Sequence, residues 1–351
     1  MNISAFNALL DKSLQILAAV LNGVDNVALL DYPEYGNVGD SMIWLGQVAL
    51  LRRLNKKIVY AGAQSNFEER EVGDLVAAGT ALLINGGGNF GTQWPHHQHF
   101  RERIMTLFPD ALIVQMPQSM CFENGVALQR SRRVIANCRN LHLLVRDYPS
   151  LAFAQANFAT HIALCPDSAF FLSELPPQRA DLDVVYLRRT DKEAETIDSE
   201  PPDSSATVAV TDWLQQSRAE QLFQKVLRAL LRRRLLRNTQ RVAIALHDAL
   251  ARLRVRRGIR LIARGRCVIT DRLHAHVLSI LLGRPHVLLD NSNGKVFAFH
   301  EAWTRDLGVG RRADSLREAL QMAGTFNLMP LLAWQFFAES DLAAVALTGF
   351  A

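Results

Sequence analysis

TDRLHAHVLSILLGRPHVLLD, residues 270–290, joins one apolar strand to the next through an apolar helix. The residues up to Asp271 end a predicted strand, the following twelve open a helix, and the run from Pro285 begins another strand. A strand, a helix and a strand in succession indicate a parallel α/β sheet. The stretch also puts Asp271, Arg272 and His274 at the strand–helix junction, where free backbone amides and the helix dipole favour an anion.

The same alternation of strands and helices extends over most of the chain. A break near residues 173–182 separates two halves, and we predict an α/β fold in which two Rossmann-like domains, 1–175 and 183–325, face each other across a cleft. A C-terminal helical tail is expected at 326–351. Ligands in such folds bind outside the carboxyl ends of the strands, which makes the residues after each strand the candidates for a site. The predicted strands lie at 26–32, 57–62, 80–86, 111–117, 141–147, 160–167, 183–191, 207–213, 266–271 and 285–291.

The bulk composition indicates a globular protein with an ample core. Apolar residues make up 49% of the 351 residues and charged residues 21%. The four cysteines are scattered without a CxxC pair, which favours a reducing compartment and disfavours a zinc site. The first 23 residues predict an amphipathic helix rather than a signal peptide, and the lack of an 18-residue apolar run predicts no membrane-spanning segment.

The net charge of +5 is unevenly distributed along the chain. Residues 218–266 contain 15 Lys and Arg against two acidic residues, a local charge of +13, so the remainder carries about −8. Such an asymmetry indicates an anionic partner, whether nucleic acid, a membrane surface or a phosphorylated substrate. A solvated helix face is the alternative.

Two glycine-containing stretches follow predicted strands in the first half. GNVGD (36–40) supplies a tight turn, with Asp40 and Ser41 as candidate helix caps, and a helix N-terminus after such a turn can bind an anion. A capped turn without a ligand is the other interpretation. In NGGGNFG (85–91) the glycines would let backbone amides approach a ligand closely. The nearby His96, His97 and His99 have no partner carboxylate or cysteine pattern, and no metal site is predicted.

Several cations also follow predicted strands. Arg146 ends the 141–147 strand, Lys295 follows the 285–291 strand, and Arg272 offers a planar fork for phosphate or carboxylate. Together with His274 they could converge on one compact anion. A surface ion pair for Arg146 and a capping role for Asp271 and Arg272 are the alternatives.

These stretches, in this order, resemble the polysaccharide pyruvyl transferase family. The resemblance covers roughly residues 26–300. The matching stretches are GNVGD (36–40), NGGGNFG (85–91), PQS (117–119), VRDYPS (145–150), CPDSAF (165–170), ITDRLHAHVLSILLGRP (269–285) and NGKVFAF (293–299).

The resemblance implies a fold like that of GT-B glycosyltransferases, phosphoenolpyruvate as donor, a sugar diol as acceptor and no further cofactor. It implies that Arg272, Leu273 and His274 contact phosphoenolpyruvate on the C-terminal half, with Arg146 reaching in from the N-terminal, acceptor-side half. The other stretches supply the candidate substrate contacts Asn37, Gly39, Asn85, Gly86, Gly87, Gly88, Asn89, Gln118 and Ser119.

The residue chemistry suits such a reaction. A ketal requires a proton on the methylene carbon of phosphoenolpyruvate, and His274 is the candidate general acid. Arg272 would bind phosphate or carboxylate, while Arg146 and Lys295 would neutralise the remaining charge. Asp40 or Asp271 is the candidate base for the hydroxyl, unless Asp271 only orients its neighbours. This chemistry requires no metal.

Other functions would share these features. A GT-B glycosyltransferase with a nucleotide-sugar donor has the same fold and anion site, and a non-catalytic binder of anionic lipid or nucleic acid could use the basic segment 218–266. Nucleic acid is not expected, because residues 218–260 contain one aromatic side chain for stacking, Phe223. We expect a cytoplasmic enzyme of exopolysaccharide or cell-surface glycan assembly. It would use a sugar or lipid-linked oligosaccharide acceptor and lie peripherally on the inner face of the membrane.

Overall fold

The computed structural model describes residues 1–326 except 173–174, 176–178, 192–206, 215, 217 and 233–239. Within this part the chain forms two parallel sheets covered by helices, which confirms the α/β class. The domain bounds 1–175 and 183–325 stay a prediction. The predicted tail lies, after Phe326, outside the described residues.

The first sheet contains seven parallel strands in the order β2–β1–β3–β5–β6–β7, with β4 paired to the distal part of β5. Its central strands are continuous apolar runs, as expected of a sheet with both faces covered. The strands are β1 (Asn26–Leu30), β2 (Lys57–Gly62), β3 (Ala81–Ile84), β4 (Gly87–Gly91), β5 (Ile113–Cys121), β6 (Leu141–Val145) and β7 (His161–Leu164).

Six α-helices accompany this sheet: α1 (Ile3–Val20), α2 (Val38–Arg53), α3 (Glu69–Ala77), α4 (Pro95–Leu107), α5 (Gly125–Ala136) and α6 (Tyr148–Asn157). Helix α2 begins earlier than the sequence indicated. Asn37 caps it, because its side chain accepts a hydrogen bond of 2.9 Å from the backbone amide of Gly39. The prediction of Asp40 or Ser41 as the cap was therefore wrong.

The second sheet contains five parallel strands in the order β12–β11–β10–β8–β9. They are β8 (Leu182–Leu187), β9 (Val208–Thr211), β10 (Gly265–Thr270), β11 (His286–Leu288) and β12 (Gly310–Arg312). The described α-helices of this half are α7 (Arg218–Arg232), α8 (Gln240–Ala263), α9 (Leu273–Leu281), α10 (Lys295–Phe299) and α11 (Leu316–Phe326). Residues 270–290 therefore span the end of β10, all of α9 and all of β11, as predicted.

Strand β4 was missed because a glycine-rich stretch lacks the apolar alternation of a strand. Its glycines permit close strand packing: a Cβ on Gly91 would lie 1.9 Å from the backbone oxygen of Cys121 in β5. Strand β5 was also predicted to end too early, at Pro117 instead of Cys121. The chain accommodates this proline at a shift in the β5–β6 register between Gln115 and Gln118.

The basic segment 218–266 is not uniformly directed to solvent. In α8, Arg254 is fully buried and donates to the backbone oxygens of Pro33 and Glu34, at 2.7 and 3.3 Å. The buried Arg257 donates to Glu220 and to the backbone oxygen of Gly36. Both the anionic-partner and the solvated-face interpretations are wrong for these two arginines, since they hold the loop that leads into α2.

Helix α1 is long and apolar enough to cross a membrane by length and composition, and no other helix among the described residues meets that test. The prediction of no such segment was therefore too strong. One face of α1 packs into the main core through Phe6, Leu9, Leu10 and Leu17. This buried stripe agrees with the predicted amphipathic helix.

Candidate functional site

A cavity of about 350 Å³ lies where strand ends of both sheets meet. Arg146 follows β6, Arg272 follows β10, and Lys295 opens the helix after β11. Chain segments far apart in sequence thus supply its walls. The predicted site residues that line it are Asn37, Asp40, Gly88, Asn89, Arg146, Arg272, Leu273, His274 and Lys295.

Arg146 and His274 line the cavity and form a buried cluster with Asp167. Arg146 Nη1 lies 2.5 Å from Asp167 Oδ2, and His274 Nε2 lies 3.4 Å from the same oxygen. Ser119 fixes the guanidinium, because its Oγ accepts from Arg146 Nε at 3.0 Å and donates to Asp147 at 2.5 Å. The arginine is therefore held with little freedom to move.

Asp167 is ionised in this setting. Burial alone would raise its pKa, but the neighbouring His274, by charge and hydrogen bond, and then Arg146 hold the pKa well below its ordinary value. This carboxylate lies 3.4 Å from His274 Nε2, and Arg146 Nη1 lies 3.5 Å from the same nitrogen, so a negative and a positive charge both face the ring. Asp167 follows β7 in CPDSAF, and the same strand-end rule that indicated Arg146 indicates it too.

Two glycines shape the space around these groups. A Cβ on Gly39, in the first turn of α2, would lie 2.6 Å from His274 Nδ1, so α2 packs directly on the imidazole. A Cβ on Gly88 would lie 3.1 Å from both Arg146 Nη2 and Lys295 Nζ. Two cations from different parts of the chain therefore flank a single point on the floor of the cavity.

Arg272 directly precedes α9 and lies among carboxylates. Its Nη2 is 2.7 Å from Asp212 and 3.5 Å from Asp191, and its guanidinium carbon lies 5.8 Å from the Trp213 ring centroid. Its Nε is buried without a hydrogen-bond partner among the described residues. The side chain is 3% exposed, and these acids offset most of its charge.

The remaining predicted residues support the cavity from behind. Asp271 accepts from the backbone amide of Arg189 at 2.8 and 3.1 Å, and burial raises its pKa to about 6. Gln118 binds the backbone oxygen of Asn85 and both the amide and the side chain of Asn89. Gly86 and Gly87 belong to the backbone packing of this region, and neither Asn85 nor Ser119 lines the cavity.

Sequence reasoning missed several lining residues. Arg189 and Asp191 come just after β8, and Trp213 just after β9, so the strand-end rule would have found them had it been applied there. Tyr35, Trp94, His96 and His97 also line the cavity, and His97 was considered only for metal binding. Among the described residues, no group of three or more His, Cys, Asp or Glu side chains could hold a metal ion.

Fold and cavity together define an α/β protein with parallel sheets and a site rich in cations and carboxylates. Residues 37–293 match the family model described as polysaccharide pyruvyl transferase. The chain belongs to the polysaccharide pyruvyl transferase family, which makes it an enzyme of pyruvyl transfer and confirms the resemblance seen in its motifs.

Two curated relatives agree with this assignment, and one solved structure shares the fold. Pyruvyl transferase 1 of Schizosaccharomyces pombe is 31% identical over 87% of this chain and 77% of its own length. A Bacillus subtilis protein, "Putative pyruvyl transferase EpsO", is 32% identical over 84% of this chain and 90% of its own. An uncharacterised Klebsiella pneumoniae protein of known structure has a TM-score of 0.57 at 16% identity, over 88% of this chain and 99% of that one, and supports the fold alone.

Proposed function

We propose that this enzyme transfers pyruvate from phosphoenolpyruvate to two hydroxyls of a sugar as a ketal and releases phosphate, in bacterial exopolysaccharide or cell-surface glycan biosynthesis. The observation that carries the proposal is the placement of Arg146 and Lys295 around Gly88, beside His274. A compact donor that carries both a phosphate and a carboxylate needs several fixed cations close together. The cavity of about 350 Å³ suits a small donor.

Each step of the transfer has a candidate group. His274 gives a proton to the methylene carbon of the donor, and the adjacent carbon becomes an oxocarbenium-like centre. One sugar hydroxyl adds there, the bond to the phosphate oxygen breaks with its electron pair, and the second hydroxyl closes the ring. The hydroxyls release two protons: one balances the proton given to carbon, and the other leaves with phosphate. Arg146, Lys295 and Arg272 stabilise the departing phosphate.

We also propose that the two sheets belong to two GT-B-like, Rossmann-like domains, residues 1–175 and 183–325, with the site in the cleft between them. The cavity supports this view, because residues that follow strands of both sheets line it. A GT-B glycosyltransferase with a nucleotide-sugar donor is the competing function. Its donor needs room for a base and a ribose beyond the anion site.

A methyl group on Gly88 tests the donor site. Gly88→Ala would place a carbon 3.1 Å from both cations, and we expect the dissociation constant of phosphoenolpyruvate to rise at least tenfold, about 1.4 kcal/mol. Calorimetric titration of the folded wild type and variant measures this effect. Gly125→Ala is the matched control, because a Cβ on Gly125 would meet no atom within 4 Å.

The same titration separates the two donors. Saturable binding of phosphoenolpyruvate by the wild type and Gly125→Ala, weakened in Gly88→Ala, supports the proposed function. Binding of UDP or GDP without binding of phosphoenolpyruvate would instead favour the glycosyltransferase.

A peripheral membrane location is proposed from helix α7. Leu222, Phe223, Val226 and Leu230 form an exposed apolar stripe, and the exposed Arg218 and Lys225 flank it. An apolar stripe bordered by basic side chains is typical of a helix that lies in the interface of an anionic membrane. Such a position would bring a cytoplasmic enzyme to a lipid-linked oligosaccharide acceptor.

Vesicle sedimentation tests this location. We expect the protein to sediment with vesicles that contain phosphatidylglycerol but not with pure phosphatidylcholine, and Phe223→Asp to weaken the binding because it buries a charge in the interface. Val126→Asp, at an exposed valine on α5, is the control and should bind as the wild type does. A wild type without affinity for the anionic vesicles would rule out membrane docking through α7.

A further inference from the structure

A buried carboxylate–imidazole pair lies at the main cavity, and none of the proposed donor contacts uses it. Asp31 directly follows β1 and is 1% exposed, and His97 lies in the first turn of α4. His97 Nδ1 is 2.8 Å from Asp31 Oδ2 and 3.0 Å from Oδ1. The two residues are 66 positions apart in sequence, so the fold alone brings them together.

The surrounding hydrogen bonds determine which ring nitrogen carries the proton. Gln64 Nε2 donates to Asp31 Oδ1 at 2.8 Å and also lies 2.9 Å from His97 Nδ1. Nδ1 itself faces both carboxylate oxygens, at 2.8 and 3.0 Å. Since the carboxylate can only accept, the proton of the neutral ring is on Nδ1. Nε2 then has a free lone pair, and it makes no hydrogen bond with any described residue. A carboxylate that fixes the tautomer in this way prepares an imidazole to act as a base.

The backbone at Asp31 supports a functional interpretation. Asp31 has a φ of +62°, and Asn55 is the only other non-glycine residue with positive φ in the described part of the chain. This conformation is uncommon for a side-chain-bearing residue and often occurs at functional sites. It directs the carboxylate toward α4 at the strand end, where ligands of parallel sheets bind.

His97 also lies between two spaces. It lines the main cavity, which holds His274 and the cations, and a second cavity of about 220 Å³. Tyr35 and His96 are shared by both cavities as well, so the two spaces adjoin at this wall. A donor in the main cavity and a sugar in the second one would meet at His97.

We infer that His97 is the general base that takes the proton of the attacking sugar hydroxyl, with Asp31 as its positioning residue. The assignment rests on the proposed pyruvyl transfer. The O–H bond breaks, the oxygen bonds to the oxocarbenium carbon, and Nε2 holds the proton until it passes to the departing phosphate. Asp271 cannot take this role, because it does not line the cavity and both of its carboxylate oxygens accept from the Arg189 amide. Asp40, which lines the main cavity, is the competing base.

The test compares His97→Gln and Asp31→Asn with the wild type. p-Nitrophenyl hexosides with free 4- and 6-hydroxyls serve as acceptors, and the one that the wild type turns over fastest is used throughout. We expect each variant to lower kcat by about 10²-fold or more, since a positioned base typically contributes 10²–10⁴-fold. In His97→Gln the acidic limb of the pH profile of kcat/KM should disappear. The dissociation constant of phosphoenolpyruvate should stay within about twofold of the wild-type value, because the donor contacts are intact. His99→Gln, an exposed position on the same helix, should behave as the wild type does.

Long-range ¹H–¹⁵N spectra of the wild type provide a second measurement that does not depend on how the variants fold. They should show the proton of His97 on Nδ1. Three results would each overturn the assignment. The first is a His97 proton on Nε2, and the second is a His97→Gln variant that changes only KM and keeps the acidic limb of the pH profile of kcat/KM. The third is loss of that acidic limb in Asp40→Asn alone. A wild type that neither binds phosphoenolpyruvate nor modifies any hexoside would instead overturn the proposed function, and the role of His97 with it.

Discussion

Replacement of His274 by Gln is expected to lower kcat by about 10²–10⁴-fold, the usual contribution of a positioned general acid. Glutamine keeps a polar side chain of similar length but cannot deliver a proton to carbon. The loss should appear in kcat with little change in the affinity for phosphoenolpyruvate, because Arg146 and Lys295 remain around Gly88. The measurement is steady-state release of phosphate together with calorimetric titration of the donor.

The His274→Gln variant is compared with two further variants. His161→Gln, at an exposed histidine of β7, should leave turnover unchanged. Asp167→Asn should also lower kcat, because it removes the carboxylate 3.4 Å from the His274 ring. Near-wild-type turnover by His274→Gln would exclude this histidine as the acid and leave the protonation of the methylene carbon to another group of the cavity.

The cationic side chains of the site could be predicted from the sequence for a geometric reason. In parallel sheets the carboxyl ends of the strands lie at one edge, so residues after different strands become neighbours. This rule brought Arg146 into one cavity with Arg272, His274 and Lys295, which lie more than 100 residues further along the chain. It applied equally to Arg189 and Asp191, which were overlooked although they also follow a strand.

Other features could not be read from local pattern. The ion pair of Arg146 with Asp167 and the burial of Arg254 against the loop before α2 depend on how separate elements pack. A basic helix that buries two arginines has the same sequence pattern as one that exposes them all. The pairing of β4 with β5 is likewise a tertiary contact, because its glycines have no intrinsic preference for a strand.

Buried carboxylates balance the charge of the two buried arginines in the site. Arg146 pairs with Asp167, and Arg272 with Asp212, each within 3 Å and with almost no exposure to solvent. A buried arginine without a partner would destabilise the fold by several kcal/mol, on the order of 3–5. The carboxylates therefore stabilise the two arginines within the fold, so the positions of these side chains do not depend on a bound ligand.

Replacement of His247 by Phe is expected to flatten the pH dependence of stability between pH 7 and pH 5. His247 lies in α8, is fully buried and stacks on Tyr32 at 4.0 Å between ring centroids. Neither ring nitrogen has a hydrogen-bond partner among the described residues. Burial, followed by the charge of Arg254, lowers the pKa of His247 from 6.5 to about 3.

The direction of the effect follows from proton linkage. Below pH 6.5 the unfolded chain binds a proton at this position that the folded protein does not bind until about pH 3, so stability is lost as the pH falls through that window. At pH 5 the loss from this one group is about 2 kcal/mol. Phenylalanine binds no proton, so the free energy of unfolding of the variant should not decrease with pH through this group.

Urea unfolding of both proteins at pH 7 and pH 5, followed by tryptophan fluorescence, measures the difference. The free energy of unfolding of His247→Phe relative to the wild type should increase by about 2 kcal/mol between the two pH values. The difference in packing between the histidine and phenylalanine rings is the same at pH 7 and pH 5. The other titrating groups, including His276, His286 and Asp271, contribute equally to both proteins and cancel in the comparison. The control Leu250→Val changes a buried side chain without a proton, so its effect should be the same at pH 7 and pH 5. If the relative stability of His247→Phe is also independent of pH, His247 takes up a proton in the folded state, and the residues around it must rearrange to solvate that charge.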